Sequence, residues 1–330
     1  MQYVGHLDRD DPLYGYLCSC IMPQVGADGR CGFRVFSSNS SHAVYIYEDR
    51  ASGKRVVGKY FFTPGKDDWE HAKNKMQREY DNIAELRSYT GENHYVARAL
   101  GCNEALNCLL VTEYCYGEAL DAVIMRAIRD NDSGHLYGKL TALSSFLATV
   151  HNRSARPVMV DFQKVCRYFD TVAGHLAAIL SPGEVEYLHF LCNRYRHDPV
   201  MYQDQEVLVH GDATPANFFF GDGNYVITFD LERMQRSDRI FDVGRIAGEL
   251  QHFFLRHTGN KYAAEPFIGH FLWEYAGWFP DRQAAFASIT ARVPFYLGMN
   301  LLRIARNEYL PLDYRRQLAA EAVLALRKTE

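Results

Sequence analysis

The sequence predicts an α+β fold of two lobes, with a five-stranded antiparallel sheet and one helix in the first lobe and mainly helices in the second. Short runs rich in Val, Ile, Leu, Tyr and Phe, separated by turn residues, predict the strands and end near residue 112. From Gly117 onward, apolar residues recur with helical spacing over long stretches. We therefore expect an N-terminal lobe over residues 1–112, a hinge over residues 113–117 and a helical lobe over residues 118–330.

The elements of the first lobe follow one another along the chain. Residues 32–61 contain three β-rich runs, the last two joined by a polar turn, which predicts an antiparallel meander. Residues 67–89 begin with acidic side chains and carry apolar residues near helical spacing, which predicts one amphipathic helix. The segments YVARALGCN and NCLLVTEYC predict the fourth and fifth strands.

Composition argues against several classes of function. The 330 residues are 48% hydrophobic and carry a formal net charge of −4, which provides no basic surface for nucleic acid. No apolar run reaches the ~18 residues of a membrane span, and acidic residues occupy the place of a signal peptide's basic stretch, so we expect a cytoplasmic protein without membrane partners. The eight cysteines form no CxxC pair and are expected to be reduced and mostly buried.

The segment VLVHGDATPANFFFGDGNYVITFDLER, residues 207–233, carries the polar residues of greatest interest. Asp212 and Asn217 lie in the pattern H-G-D-x-x-x-x-N, and Asp230 ends the next strand-like run. A hairpin would bring the oxygen ligands of Asn217 and Asp230 side by side, with Asp212 next to them. That is the arrangement that Mg²⁺ carrying a polyphosphate requires, and phosphoryl transfer also needs a carboxylate that receives the proton of the acceptor hydroxyl.

HGDATPANFFF followed by ITFDLE resembles the catalytic loop and the metal-binding Asp of the aminoglycoside phosphotransferase and choline kinase family. These are small-molecule kinases with a two-lobed, protein-kinase-like fold. The resemblance implies that Asp212 is the catalytic base and that Asn217 and Asp230 hold Mg²⁺. FDVGRIAGE is similar to a further family segment, in which Asp242 would brace the catalytic loop, and His210 is expected to be structural.

The resemblance also implies a nucleotide site in the first lobe, for ATP or GTP. RVVGKYF is similar to the family's third strand, whose Lys59 would hold the α- and β-phosphates, and Glu79 in MQREYDNI would pair with that lysine. Glu70 and Glu85 on the same helix are alternatives to Glu79. LLVTEYCYGEAL is similar to the family's hinge, so backbone groups of Glu113 and Cys115 would meet the purine edge.

One family feature is absent from the sequence. No glycine-rich phosphate loop stands between the first two strands, where the segment SSNSSHAV is found instead. Backbone and hydroxyl groups in such a turn can still donate to phosphate, which makes Ser38, Asn39 and Ser40 candidate nucleotide ligands.

Two further groups of side chains have both a functional and a structural interpretation. Arg233, Arg236 and Arg239 could hold an acidic or phosphorylated substrate, or belong to a solvated loop. The aromatic residues of 271–279 could form a cage for a cationic ligand, although core packing is the favoured interpretation.

These features together predict a phosphotransferase that moves the γ-phosphate of ATP or GTP to a hydroxyl of a small molecule. The acceptor would be a sugar, an amino alcohol or an aminoglycoside-like compound. Only eleven residues separate Asp230 from Asp242, which leaves no room for the activation segment that a protein kinase uses to dock peptides. The alternative is a catalytically silent kinase-fold protein that binds nucleotide or acts as a scaffold.

Overall fold

The computed structural model describes residues 1–38 and 43–327, and its residues form two compact units. Unit 1 consists of Met1–Ser88, Tyr95–Gly117 and Ile227–Arg233, and unit 2 consists of Tyr89–His94, Glu118–Val226 and Met234–Glu330. Strands dominate the first unit and helices the second, which confirms the predicted α+β class.

Unit 1 is built on an antiparallel sheet with the strand order β1-β2-β3-β4-β7-β6. The strands before and within the predicted meander are β1 (Gln2–His6), β2 (Phe33–Ser37), β3 (Ala43–Asp49) and β4 (Arg55–Tyr60). They are followed by β5 (His94–Val96), which lies outside this sheet, β6 (Ala99–Asn103) and β7 (Leu109–Glu113). The sheet therefore has one strand more than predicted, because β1 pairs with the edge of β2.

Two helical segments complete unit 1. Helix α1 (Pro12–Tyr16) continues into a π-helical turn and a short 3₁₀ helix that ends at Val25. Helix α2 (Trp69–Arg87) lies within the predicted range of 67–89 and begins after Asp68, whose carboxylate accepts a hydrogen bond from the His71 N–H.

The N-terminal segment is part of the core of unit 1. Leu13, Leu17, Ile21 and Met22 are almost completely buried. They form one apolar cluster with side chains of the sheet, namely Phe33, Val35, Tyr47, Val56, Leu100, Leu109 and Val111. Residues 12–25 therefore cover one face of the sheet, a role that no sequence motif indicated.

Unit 2 contains most of the helices. Its first half comprises β8 (Glu118–Ala119), α3 (Leu120–Asp130), α4 (Ser133–Ser154), α5 (Phe162–His175) and α6 (Pro182–Arg196). Next come β9 (Val207–Val209), β10 (Phe218–Phe220), β11 (Val226–Thr228), whose last two residues are assigned to unit 1, and β12 (Gln235–Ser237). Four helices follow, namely α7 (Ile240–Thr258), α8 (Glu265–Ala276), α9 (Arg282–Ala305) and α10 (Leu312–Leu326). Strand β9 pairs with β12, and β10 pairs with β8.

Helices α7 and α9 approach each other closely at two glycines. A Cβ atom on Gly244 would lie 2.4 Å from Tyr296 Cβ, and one on Gly248 would lie 2.8 Å from Asn300 Nδ2. Both distances are shorter than a normal contact, so the absence of a side chain at these two positions allows the helices to pack together. This packing lets both α7 and α9 contribute side chains that contact Asp212.

The cysteines and the hydropathy of the helices were also predicted from the sequence. All eight cysteines are free, as expected, but only Cys108, Cys166 and Cys192 are buried, so the expectation of mostly buried thiols is wrong. Within residues 1–38 and 43–327, no helix is both long enough and apolar enough to cross a membrane.

Candidate active site

Unit 1 carries an ion-pair cluster centred on Lys59 of strand β4. Its Nζ donates to Glu79 Oε2 on α2 at 2.8 Å and to Asp230 Oδ1 at 2.6 Å, and lies 3.1 Å from Glu232 Oε2. Carboxylate oxygens of Glu79, Asp230 and Glu232 all lie within 4.8 Å of one another. The structure thus brings together Lys59, Glu79 and Asp230, which the sequence singled out, and adds Glu232.

The choice among the acidic residues of α2 is settled by burial. The buried face of the helix includes Ala72, Met76, Glu79 and Ile83, whereas Glu70 and Glu85 are exposed. Glu79 is 3% exposed and contacts Lys59, so it is the helix's partner for this lysine.

Burial and charge act in opposite directions within this cluster. Burial alone would lower the pKa of Lys59, but the carboxylates of Glu79, Asp230 and Glu232 raise it above its ordinary value, which keeps the amine charged. Burial raises the pKa of Glu79 to about 7, and the nearby Lys59 opposes that shift only in part.

Asp230 has a left-handed backbone conformation, with φ of 63°. Left-handed conformations are unfavourable for most L-residues, although Asp tolerates them better than most. A non-glycine residue held in this region is typical of functional sites. Glu232 follows two positions later in the sequence and also reaches Lys59.

The other predicted nucleotide ligands of unit 1 have varied surroundings. Ser38 is exposed, and its backbone N–H donates to the Val44 carbonyl at 3.1 Å. Asn39 and Ser40 lie outside the described residues. Because the Ser38 N–H already donates to Val44, the hydroxyl is the group of Ser38 that could donate to a phosphate.

The two hinge residues are fixed by the sheet and by burial. The Glu113 N–H donates to the Arg98 carbonyl at 3.0 Å, and its carboxylate accepts from the Arg98 N–H and Nε. The carbonyl of Glu113 is therefore the backbone group that the predicted purine contact would use. Burial raises the pKa of the half-buried Cys115 thiol to about 12, so the thiol stays protonated.

In unit 2, Asp242 braces the loop that contains Asp212. This carboxylate is completely buried and accepts hydrogen bonds from the His210 N–H at 2.6 Å and the Gly211 N–H at 3.0 Å. The His151 ring is 3.3 Å away. Burial alone would raise the pKa of Asp242, but the hydrogen bonds and His151 hold it below its usual range. The expected bracing contact is therefore present.

The loop itself is held by local hydrogen bonds. His210 Nδ1 lies 3.3 Å from the Asp212 N–H, which fits the structural role expected of this histidine. Asn217 is buried, and its Nδ2 donates to the Asp212 carbonyl at 2.9 Å. Gly211 has φ of 76°, a conformation that a glycine adopts without strain, and it turns the chain into Asp212.

Two arginines converge on Asp212, and neither was predicted. Arg245 of α7 donates from Nη1 to Asp212 Oδ1 at 3.0 Å and also to the Gly211 carbonyl. Arg303 of α9 donates from Nη2 to the same Asp212 oxygen. Arg303 Nη1 is also 3.8 Å from Glu249 Oε1. The candidate base is thus held between two guanidinium groups.

The pKa values of Arg245 and Glu249 are shifted because several charged groups are buried close together. Burial lowers the pKa of Arg245 to about 10, and the positive charge of Arg303 adds to that shift. Burial raises the pKa of Glu249, against the opposing charge of Arg303. Two desolvated guanidinium groups next to one another are costly unless anionic groups accompany them.

Two other predictions about side chains have clear outcomes. Arg236 donates to the Ser154 carbonyl at 2.5 Å, and Arg239 is buried and pairs with Asp204 at 3.0 Å, so neither is a solvated loop residue. Phe271 and Tyr275 are fully buried and pack in the core as expected, whereas Trp273 is 38% and Trp278 is 50% exposed, so core packing holds for only part of the aromatic segment.

The sequence can now be placed by comparison with known proteins. The model of the phosphotransferase enzyme family matches residues 32–278. The chain belongs to this family. Membership confirms the predicted resemblance and the prediction of an enzyme that transfers phosphate from a donor to an alcohol group of a small molecule.

Solved structures show the same fold for this phosphotransferase. The ADP-bound aminoglycoside phosphotransferase APH(2'')-Ib matches with a TM-score of 0.58 and 12% identity over 96% of this chain and 97% of that one. The GDP complex of aminoglycoside 2'-phosphotransferase-IIIa matches with a TM-score of 0.55 and 14% identity, over 89% of this chain and 91% of that one. The Plasmodium vivax ethanolamine kinase Pv091845 matches with a TM-score of 0.53 and 11% identity, over 89% of this chain and 79% of that one. No curated protein sequence matches the chain. The protein-kinase-like fold is therefore confirmed.

Proposed function

We propose that this phosphotransferase moves the γ-phosphoryl group of ATP or GTP to a hydroxyl group of a small molecule. The observation that carries the proposal is the contact of Lys59 with the buried Glu79 and the partly exposed Asp230 and Glu232 in one cluster. A lysine that is kept charged by a helix carboxylate, next to carboxylates able to hold a metal, is the arrangement by which kinases bind the phosphates of a nucleotide. The ADP and GDP in the two similar structures support a nucleotide donor.

The carboxylates of unit 1 fit a magnesium ion. Asp230 and Glu232 offer hard oxygen ligands that lie close enough to share one cation. We propose both as ligands, together with Asn217, which is assigned on its sequence spacing alone. Mg²⁺ bound there would neutralise charge on the transferring phosphoryl group.

Lys59 and Glu79 would orient the nucleotide. With nucleotide bound, the Lys59 amine would exchange part of its contact with Asp230 for the α- and β-phosphates, while Glu79 keeps the amine charged and in place. The Glu113 carbonyl and the Cys115 N–H would meet the purine edge.

Asp212 would act as the general base. As the acceptor oxygen bonds to the γ-phosphorus, its proton passes to the Asp212 carboxylate, and the bond between the γ-phosphorus and the bridging oxygen breaks to release the nucleoside diphosphate. Asp242 holds the loop through two backbone N–H groups, and Arg245 and Arg303 fix the carboxylate. A fixed carboxylate supports this role, because catalysis of phosphoryl transfer depends on positioning.

The test is transfer of label from the γ-phosphate. The protein is incubated with Mg²⁺ and γ-labelled ATP or GTP, with pools of hydroxyl-bearing metabolites, and the products are separated. We expect label in a small molecule, dependent on Mg²⁺. Nucleotide binding without transfer to any pool would instead favour a catalytically silent nucleotide-binding protein.

A further inference from the structure

The net charge around Asp212 becomes more positive during the proposed reaction. In the free protein, the guanidinium groups of Arg245 and Arg303 face the carboxylates of Asp212 and Glu249. When Asp212 takes up the proton of the acceptor, one of the negative charges that face the two buried guanidinium groups is lost, and the described carboxylates that still act on them are Glu249 and the loop-bracing Asp242. An anion close to Asp212 would restore that balance at the step where it is needed.

Arg303 also has more hydrogen-bond donors than its described surroundings satisfy. A guanidinium carries five N–H donors. Its Nη2 donates to Asp212, its Nη1 is 3.8 Å from Glu249, and its Nε is buried without a hydrogen-bond partner among residues 1–38 and 43–327. The side chain is 11% exposed, compared with 3% for Arg245. Arg303 is therefore the arginine of the pair that is better able to bind a further group.

Three carboxylates of unit 2 that could meet a cationic acceptor already have partners within the protein. Asp132 caps helix α4 and Glu184 forms the capping box of α6. Glu274 pairs with Arg282 at 2.9 Å. Among the described residues, the cluster of three acidic side chains lies in unit 1, around Lys59. Next to Asp212, by contrast, stand the guanidinium groups of Arg245 and Arg303, which would repel the ammonium group of an amino alcohol or an aminoglycoside.

We propose that the acceptor is an anionic hydroxyl compound, a hydroxy acid or a phosphate ester with a free hydroxyl, and that Arg303 binds its anionic group. Arginine suits both anions, because its planar guanidinium can donate two parallel hydrogen bonds to a carboxylate or a phosphate. Arg245, held by the Gly211 carbonyl, is a positioning residue for Asp212. This inference rests on the proposed function, since it names the acceptor of that same reaction.

The experiment sorts acceptors by charge. Four pools are offered with Mg²⁺ and γ-labelled nucleotide: hydroxy acids, phosphate esters of polyols, neutral polyols, and amino alcohols with aminoglycosides. We expect label in the first or the second pool, and the labelled pool distinguishes a carboxylate from a phosphate. Label in the neutral or the cationic pool alone would overturn the inference and leave the proposed function intact. No label in any pool would contradict the proposed function itself.

Variants at Arg303 then test its role. The labelled acceptor and its uncharged analogue are titrated into wild-type protein, R303M, R303K and the control R129M, which alters an exposed arginine of α3. We expect R303M to lower the preference for the anionic compound about 10- to 100-fold, R303K to retain part of it, and R129M to retain all of it. A loss of fold or of base positioning would weaken both ligands alike, so an unchanged ratio of dissociation constants in R303M would refute the assignment.

Discussion

The close packing of α7 on α9 leads to a sharp prediction for Gly244→Ala. The new methyl group would lie 2.4 Å from Tyr296 Cβ and 3.2 Å from the Tyr296 carbonyl carbon. Carbon atoms in contact are normally ~3.5 Å apart, so the methyl group would intrude by about 1 Å. Its neighbours are backbone atoms and a Cβ, which cannot rotate away. The two helices must therefore separate.

The size of the effect follows from two opposing contributions. Overpacking of this kind costs about 1–3 kcal/mol, whereas replacing glycine by alanine in a helix gains about 1 kcal/mol. Gly269 of α8 is the matched control, because a Cβ there meets nothing within 4 Å. G269A should therefore gain up to about 1 kcal/mol of unfolding free energy, and G244A should lose up to about 2 kcal/mol.

Urea unfolding followed by circular dichroism measures both variants at the same pH. G244A should also lower phosphoryl transfer, because separating α7 from α9 moves Arg245 and Arg303 apart at Asp212. A G244A protein as stable as G269A would refute the packing argument.

Three further predictions concern Lys59's partners and the buried histidines. Glu79→Ala should lower kcat/KM for nucleotide about 10- to 100-fold in a transfer assay, because the lysine loses its orienting carboxylate, while the exposed-site control Glu70→Ala leaves it unchanged. Asp230→Asn keeps a residue that tolerates the left-handed conformation but removes the negative charge. The factor by which Mg²⁺ lowers the nucleotide dissociation constant, measured by calorimetry, should therefore fall on the order of 100-fold. Burial lowers the pKa of His94 and of His252 to about 4, whereas both have pKa values of ~6.5 in the unfolded chain. Between these two values, both side chains are neutral in the folded protein and protonated in the unfolded chain. Stability should thus be lost as pH falls from ~6.5 to 4, by at most about 3 kcal/mol for each histidine, and His252→Gln should reduce the loss seen in urea unfolding at pH 7.5 and 5.

Much of the candidate site could be predicted because its residues lie in short, ordered patterns. Lys59 and Glu79 are brought together by a strand and the helix that follows it, a local arrangement with a clear hydrophobic period. Asp212 and Asp242 lie in two separate short motifs, and the family resemblance is what linked them, because the hydrogen bonds from His210 and Gly211 to Asp242 span 32 and 31 positions. No sequence pattern indicated Arg303. It is separated from Asp212 by 91 positions and reaches it only because α9 packs on α7.

The errors in the prediction have the same physical origin. Strand β1 and residues 12–25 have no distinctive motif, and their place against the sheet depends on contacts with distant strands. Arg239 looks solvated in the sequence because it stands in a charged segment. Its partners Asp204 and Asn152 are 35 and 87 positions away, so burial of that charge could not be foreseen.

The central claim is tested most directly by single-turnover transfer of γ-labelled phosphate in Asp212→Asn. Asn preserves the shape of the side chain but cannot accept the proton of the acceptor hydroxyl. Asp222→Asn, at an exposed aspartate in the same segment, is the control. We expect D212N to lose transfer by about 10²- to 10⁴-fold while nucleotide affinity stays close to that of wild type, and D222N to behave as wild type. Transfer by D212N at the wild-type rate would contradict the assignment of Asp212 as the base.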